Sequence, residues 1–156
     1  MTVWLAALLL AGERVALGIW DRWAALRDSD PARCFAIAQP VRSDGTTDRR
    51  GAFASVAVRQ AETGGPALFV RLSQPRNPSA SITLAIGERR FALVGDRGTA
   101  RAPDAATDRA IVGAMRGGRA MTIATTAATG QPVADSYALT GAATAIDAAA
   151  LGCAGR

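Results

Sequence analysis

The sequence predicts a mainly β protein, a β-sandwich with a short helix inserted late and a second helix at the C-terminal end. Short stretches alternate apolar with polar or small residues at a period of two, which is typical of half-buried strands. Turn-forming Gly, Pro, Asp and Ser separate these stretches, and this spacing favours a sandwich over a parallel sheet. With 156 residues and neither an internal repeat nor a linker, the chain has room for one domain with its own core.

The first residues resemble a secretory signal peptide. An apolar run at residues 3–11 is too short to cross a bilayer but has the length of a signal-peptide hydrophobic region. Ala16 and Gly18 supply small residues at −3 and −1 for cleavage before Ile19. We therefore expect residues 1–18 to be a signal peptide and residues 19–156 to be the domain, with no transmembrane helix in the mature chain. A misassigned start or an uncleaved N-terminal helix would explain the same residues.

From Ile19 onward, the pattern predicts strands. Trp20 and Trp23 flank a first extended stretch, which the acidic segment at residues 28–31 ends as a turn. Polar or proline-containing segments at residues 43–46, 74–79 and 95–103 are predicted loops. The strands between them are predicted at residues 33–41, 53–61, 67–72, 82–86 and 91–94.

The C-terminal third has the order helix, strand, turn, strand, helix. Thr107 is the predicted N-cap of the first helix, and Gly117 with Gly118 is its predicted end. Two strands follow, the second with Tyr137 and Leu139 on its inward face. In the last helix, apolar residues recur at i, i+3, i+4 and i+7, which directs the inward face to Ile146, Ala149, Ala150 and Cys153.

The C-terminal third also has a recognisable order of motifs. They are residues 108–118, Met121, residues 135–141 and Cys153, with Trp20, Trp23 and residues 34–38 upstream. In these residues the chain resembles the invasion-associated locus B family of bacterial envelope proteins. The resemblance implies an exported protein with an immunoglobulin-like β-sandwich fold and no assigned enzymatic activity. Several members carry an additional cysteine near the front that this chain lacks, so a second disulfide cannot form.

Cys34 and Cys153 are the only cysteines of the chain. Two cysteines in an exported protein are usually paired. In the family, a cysteine near the front and one at the end recur at these places, so the resemblance implies a Cys34–Cys153 disulfide. Two buried free thiols are the alternative.

The composition excludes several kinds of chemistry. All 18 basic residues are arginine, and histidine is absent, so a Ser-His-Asp triad, a Schiff base and most zinc sites cannot be built. The net charge of +5 permits an anionic partner, but the arginines are scattered, as on an ordinary solvated surface. An aromatic content of 5% offers few stacking platforms, so we expect no nucleic-acid partner.

The remaining candidate groups are carboxylates, and each has a structural explanation. Asp104 and Asp108 are spaced as a possible acid/base pair, but acidic residues at a helix N-terminus are explained by the helix dipole. Asp135 shares the inward face of its strand with Tyr137, where a contact to a nearby amide explains it more simply than a ligand does. We therefore predict no catalytic, cofactor-binding or metal-binding residue and no cofactor.

Two functional classes remain. The resemblance implies an envelope protein, periplasmic or secreted, that acts by contact with an unknown envelope or host-surface component and is not an enzyme. A periplasmic small-molecule or glycan-binding module is the alternative. An exposed apolar patch would favour the first class, and a deep pocket with convergent polar groups the second.

Overall fold

The computed structural model describes residues 12–29, 32–44, 51–58 and 65–154. Eleven strands and two helices occupy these ranges. In chain order the elements are β1 (Arg14–Trp20), β2 (Trp23–Ser29), β3 (Ala32–Ala38), β4 (Arg42–Asp44), β5 (Phe53–Val58), β6 (Ala67–Arg71), β7 (Ile82–Ile86), β8 (Arg89–Leu93), β9 (Thr99–Arg101), α1 (Ala105–Gly117), β10 (Ala120–Thr126), β11 (Pro132–Ala138) and α2 (Ala142–Cys153).

The strands form two antiparallel sheets, as the sequence predicts. A six-stranded sheet has the order β1-β2-β3-β5-β6-β9, and a five-stranded sheet has the order β4-β11-β10-β7-β8. One hydrophobic core includes residues of both sheets and of both helices. The architecture is therefore a β-sandwich completed by two helices.

Trp23 ties the two sheets together at the centre of the core. Its side chain is fully buried, and its Nε1 donates a hydrogen bond to the carbonyl oxygen of Ala138 at 2.8 Å. A buried tryptophan needs such a partner because its indole N–H loses water on folding. Tyr137 and Leu139 are buried and Arg116 and Arg119 are exposed, so the predicted inward face of β11 is confirmed.

Helix α2 packs on the β1, β2 and β3 end of the six-stranded sheet. Its residue Cys153 forms a disulfide with Cys34 of β3, and the Cα atoms of the two cysteines lie 6.0 Å apart. Ala149 is buried beside this bridge in a second, smaller core cluster. Ala150, predicted to face inward with it, is exposed.

Helix α1 begins earlier than predicted. Asp104, not Thr107, is its N-cap, because the carboxylate of Asp104 accepts the backbone N–H of Thr107 at 2.7 Å. The predicted end is confirmed, since the helix stops at Gly117. A carboxylate and a hydroxyl are both good caps, so residue type alone does not separate the two positions.

Strands occupy three segments that the sequence predicts differently. One is predicted as a single extended stretch and two are predicted as loops. The stretch around Trp20 and Trp23 is a hairpin, in which β1 and β2 reverse at Asp21, the one non-glycine residue with positive φ among those described. Strand β4 covers the start of the predicted loop at residues 43–46, and β9 lies inside the predicted loop at residues 95–103. Strands of three residues are too short to show a period of two. Residues 59–61 of a predicted strand lie outside the described residues.

The predicted signal peptide overlaps β1. Five of its seven residues precede Ile19, and Leu17 packs against the cluster of Ala25, Cys34 and Ala149. The apolar run at residues 3–11 lies outside the described residues, so cleavage before Ile19 stays a prediction. No helix within the described ranges combines the length and the apolar character needed to cross a membrane.

Candidate binding groove

The outward-facing side of the six-stranded sheet is largely apolar. Residues paired across an antiparallel sheet project to the same face, so the strand register defines rows of side chains. One row runs outside the core from β1 to β9, and a second, parallel row runs from β1 to β6. The first row is Ile19, Ala24, Ile37, Ser55, Phe69 and Arg101, and the second is Ala16, Leu26, Phe35, Ala57 and Ala67.

A groove, which we call the outer groove, has as its floor the residues that β3, β5, β6 and β9 contribute to these rows, together with Phe53. Its volume is about 760 Å³. Phe53 and Phe69 lie side by side in it, with ring centroids 5.8 Å apart, and Phe69 is 39% exposed. Gly65 and Pro66 line it together with the first turn of α1. Such a volume is within the range of small-molecule sites.

One end of the outer groove is basic. Arg14 donates from Nε and from Nη2 to the two carboxylate oxygens of Asp28, at 2.6 and 2.9 Å, and Arg33 donates from Nε to Oδ2 at 2.8 Å. Both guanidinium groups lie over the ring of Phe35. The distance from Cζ to the ring centroid is 5.4 Å for Arg14 and 5.2 Å for Arg33. Among the described residues at this end, two cations face one carboxylate, which leaves one positive charge in excess.

The ion pairs have a direct effect on Asp28. The hydrogen bonds from Arg14 are the largest cause that lowers its pKa, and those from Arg33 add to the effect, so the pKa falls to about 2. Burial of the carboxylate acts in the opposite direction. Asp28 therefore stays ionised, and the basic end keeps its arrangement, at any physiological pH.

The other end of the outer groove carries Asp104 and Asp108 beside Arg101. The structure brings these two predicted carboxylates into the groove wall, and both make structural hydrogen bonds. Asp104 caps α1, which lowers its pKa, and Asp108 accepts the backbone N–H of Leu68 at 2.9 Å. The pair thus anchors α1 on the groove rather than forming an acid/base couple.

Asp135 lies elsewhere, inside the sandwich. It is fully buried and accepts the backbone N–H of Ser73 at 2.9 Å and the Ser73 hydroxyl at 2.6 Å. The predicted contact to a nearby amide is confirmed. Its inward neighbour Tyr137 has a raised pKa because burial disfavours the phenolate, and the charge of Asp135 adds to this.

The described lining of the outer groove is mainly apolar. Among the described residues that line the outer groove, Ser55 is the only neutral polar side chain. In the described part of the chain, inside or outside the groove, no group of three or more His, Cys, Asp or Glu is placed to hold a metal ion. What the groove offers is an apolar, partly aromatic floor with an arginine-rich cluster at one end and a mixed cluster of aspartates and arginines at the other.

Sequence reasoning missed the residues that build the outer groove. Phe35 and Ile37 lie opposite Cys34 and Ala36 along β3, so this strand is apolar on both faces. A strand that is apolar on both faces indicates that its second face is also meant to be covered. That signal was present, but it does not say which other strands share the face.

The fold and the groove define a class: a disulfide-bridged β-sandwich with an exposed apolar face. Residues 24–150 match the family model described as invasion associated locus B (IalB) protein, so the chain belongs to this family. The fold is similar to the crystal structure of invasion associated protein B from Bartonella henselae, with a TM-score of 0.66, 20% sequence identity, and coverage of 88% of this chain and 98% of the other. No curated protein matches the chain significantly.

Proposed function

We propose that this chain is an exported envelope protein that acts by binding through the outer groove, and not by catalysis. The observation that carries the proposal is the apolar outer face of the six-stranded sheet, where Ile37, Phe53 and Phe69 line a groove instead of polar side chains. The outward face of a sandwich sheet is ordinarily polar because it meets water. Contiguous exposed apolar surface marks an interaction site.

Export is supported by the apolar run at residues 3–11 and by the bridge between Cys34 and Cys153, since disulfides persist in oxidising compartments. We place the protein in the periplasm or the outer envelope, or among secreted proteins. Because β1 begins at Arg14 and the carbonyl of Glu13 accepts the backbone N–H of Ser29 at 3.1 Å, we propose that processing occurs ahead of Glu13. A chain with an intact Met1 in the cytoplasm, seen by mass spectrometry, would contradict export.

A binding role also fits the chemistry of the groove. Ser55 lacks any histidine or lysine to activate it, because the chain contains neither. Asp104 and Asp108 are engaged with backbone amides. Among the described residues of the groove, a serine without such a base and carboxylates held by a helix and a strand favour binding over acid/base or covalent catalysis.

Site-specific photo-crosslinking tests the groove as the contact surface. A benzophenone amino acid replaces Phe69 in one variant and Phe91 in the control variant, and both proteins are irradiated in intact envelopes. Phe91 is a suitable control because it is partly buried on β8 of the other sheet, with the guanidinium of Arg89 over its ring. We expect a discrete adduct from position 69 alone; identical adducts from both positions, or none, would refute the groove as the contact surface.

A small-molecule ligand is the second candidate, favoured by the concave shape and the volume of about 760 Å³. A glycan fits less well, because glycan recognition needs many hydrogen-bonding side chains and the described lining offers one neutral polar group. The groove is better suited to an apolar group.

A further inference from the structure

We propose that the outer groove binds a single-chain anionic amphiphile, with its charged head at Arg14 and Arg33 and its apolar tail across the aromatic floor. The inference rests on the proposed function, in that it names a ligand class for the same groove. It follows from the asymmetry of charge along the groove, from the length of the apolar floor and from the lack of polar groups along it.

The head is assigned to the basic end by charge complementarity. Arg33 uses Nε for Asp28, and its two terminal amino groups make no hydrogen bond within the described part of the chain. Those donors are free to form paired hydrogen bonds with a carboxylate, sulfate or phosphate oxygen pair, the geometry that guanidinium groups favour. The excess positive charge left by two arginines and one aspartate attracts the same head.

The opposite end has no excess of positive charge among the described residues. Asp104 and Asp108 there lie near two guanidinium groups: Arg101 lines the groove, and Arg109 packs against Gly65 and interacts electrostatically with Asp104. The two ends therefore differ in charge, because only one carries an excess of arginine, and an anionic ligand has one favourable orientation. A cationic amphiphile would meet the excess of arginine charge at the end where Arg33 offers its free donors.

The tail is assigned to the floor between these ends. From β3 to β9 the floor crosses three strand spacings, or about 14 Å. Side chains that line this path include Ile37, Ala57, Phe53 and Phe69, and only Ser55 interrupts the apolar surface. Apolar burial is the main driving force available there. One tail of medium length fits this span, so we commit to a monomeric ligand rather than to lipid in a bilayer.

Calorimetric titration of the purified protein with dodecanoate, below its critical micelle concentration, tests the proposal. We expect one binding site per chain and at least tenfold weaker binding of dodecyltrimethylammonium, a difference of about 1.4 kcal/mol. Octanoate should bind more weakly than dodecanoate because it buries less of the floor. Amide shifts in ¹H–¹⁵N spectra should concentrate in β3, β5 and β6.

Three variants locate the site. Arg33→Gln should weaken dodecanoate binding about tenfold by removing the free donors, and Phe69→Ala should weaken it by a similar factor. Arg33 and Phe69 are exposed, so neither replacement opens the core. Arg89→Gln is the matched control: it removes an exposed arginine stacked on Phe91, on the other sheet, and should leave the affinity unchanged.

Several results would overturn the proposal. They are no heat of binding with dodecanoate, equal affinity for the cationic amphiphile, or an Arg33→Gln protein that binds like the parent. Flotation with phosphatidylglycerol vesicles that depends on Phe69 would show a bilayer-binding face instead. A protein adduct at position 69 that dodecanoate does not compete away would show a protein-binding face. Either result leaves the groove as the contact surface, so failure of the ligand class is distinguishable from failure of the proposed function.

Discussion

Arg76 is held inside the protein, 5% exposed, with backbone carbonyls as its only hydrogen-bond partners in the described chain. Its guanidinium donates to the carbonyl oxygens of Asp96 at 2.6 Å, and of Ala80 and Gly95 at 2.7 Å each. It thereby joins the segment after β6 to the segment after β8. An exposed surface position, the usual expectation for scattered arginines, is wrong for this residue. Nothing local in the sequence marks it, because its acceptors are main-chain carbonyls, some in its own segment and others in the segment at Gly95 and Asp96 that the fold brings beside it.

The hydroxyl of Tyr137 is buried and has no hydrogen-bond partner within the described ranges. A desolvated hydroxyl without a partner is unfavourable, so its removal relieves a cost instead of creating one. We expect Tyr137→Phe to leave the free energy of unfolding unchanged or to raise it by about 1 kcal/mol. Chemical denaturation measures this. As a contrast, Leu139→Ala at a neighbouring buried position should lower stability by about 2–5 kcal/mol. A loss above about 1 kcal/mol for Tyr137→Phe would show that the hydroxyl is bonded.

Asp28 makes stability depend on pH in the acidic range. Its folded pKa of about 2 lies below the value of an unfolded aspartate, so its ion pairs stabilise the fold fully above about pH 4. That contribution is lost as the pH falls from about 4 to about 2. Because Arg14 and Arg33 are more than half exposed, we expect only about 0.5–1 kcal/mol. Thermal unfolding of Asp28→Asn and the parent should therefore differ at pH 6 and converge near pH 2; a constant difference would contradict the assignment.

At the scale of elements, strands with a clear period of two were predictable from the sequence. Short strands that depend on pairing with a distant segment were not. Strand β7 alternates buried Ile82, Leu84 and Ile86 with less buried residues, so its face is readable from the sequence. Strand β9 has three residues and exists because β6 lies beside it. Gly141, before α2, has φ of 89°, and a side chain there would collide with the carbonyl of Trp20. That contact between distant segments explains the glycine, but the sequence alone does not reveal it.

Deletion of N-terminal residues tests the place of β1. Removal of residues 1–18 takes away Arg14 with its ion pair to Asp28 and Leu17 with its packing on Cys34 and Ala149. We expect this variant to lose about 2 kcal/mol of stability relative to the parent, most of it from the partly buried Leu17. Removal of residues 1–11 is the control and should change stability little, because β1 stays complete. Equal stability of the two truncated proteins would instead support the predicted cleavage before Ile19.

At the scale of the whole molecule, the outer groove is a product of strand order. Phe35, Phe53 and Phe69 are separated along the chain, and they share one face only because β3, β5 and β6 are neighbours in a fixed register. The sequence supplies the apolar residues and their alternation within each strand. Which face of each strand is outward, and which strands are adjacent, depends on long-range pairing. The sandwich was therefore predictable from the sequence, whereas its candidate site was not.

The disulfide between Cys34 and Cys153 spans 119 positions of the chain. Closing so long a loop restricts the unfolded chain strongly, and the chain-entropy model gives about 4–5 kcal/mol of stabilisation. We expect thiol titration of the denatured, unreduced protein to find no free thiol and a monomeric mass. Replacement of both cysteines by alanine should lower the unfolding free energy by no more than that amount. Two reactive thiols per chain would instead show that the residues are buried and unpaired.

The same bridge also depends on the order in which its two cysteines become available. A ribosome makes Cys34 long before Cys153, and any machinery that threads the chain from its N-terminus delivers the two thiols in that order, 119 residues apart. The first thiol must wait, exposed to any oxidant or to the thiols of other chains, until α2 arrives. Closure of the bridge therefore cannot precede the arrival of Cys153, and crowding of incomplete chains is the circumstance in which wrong, intermolecular pairs would form.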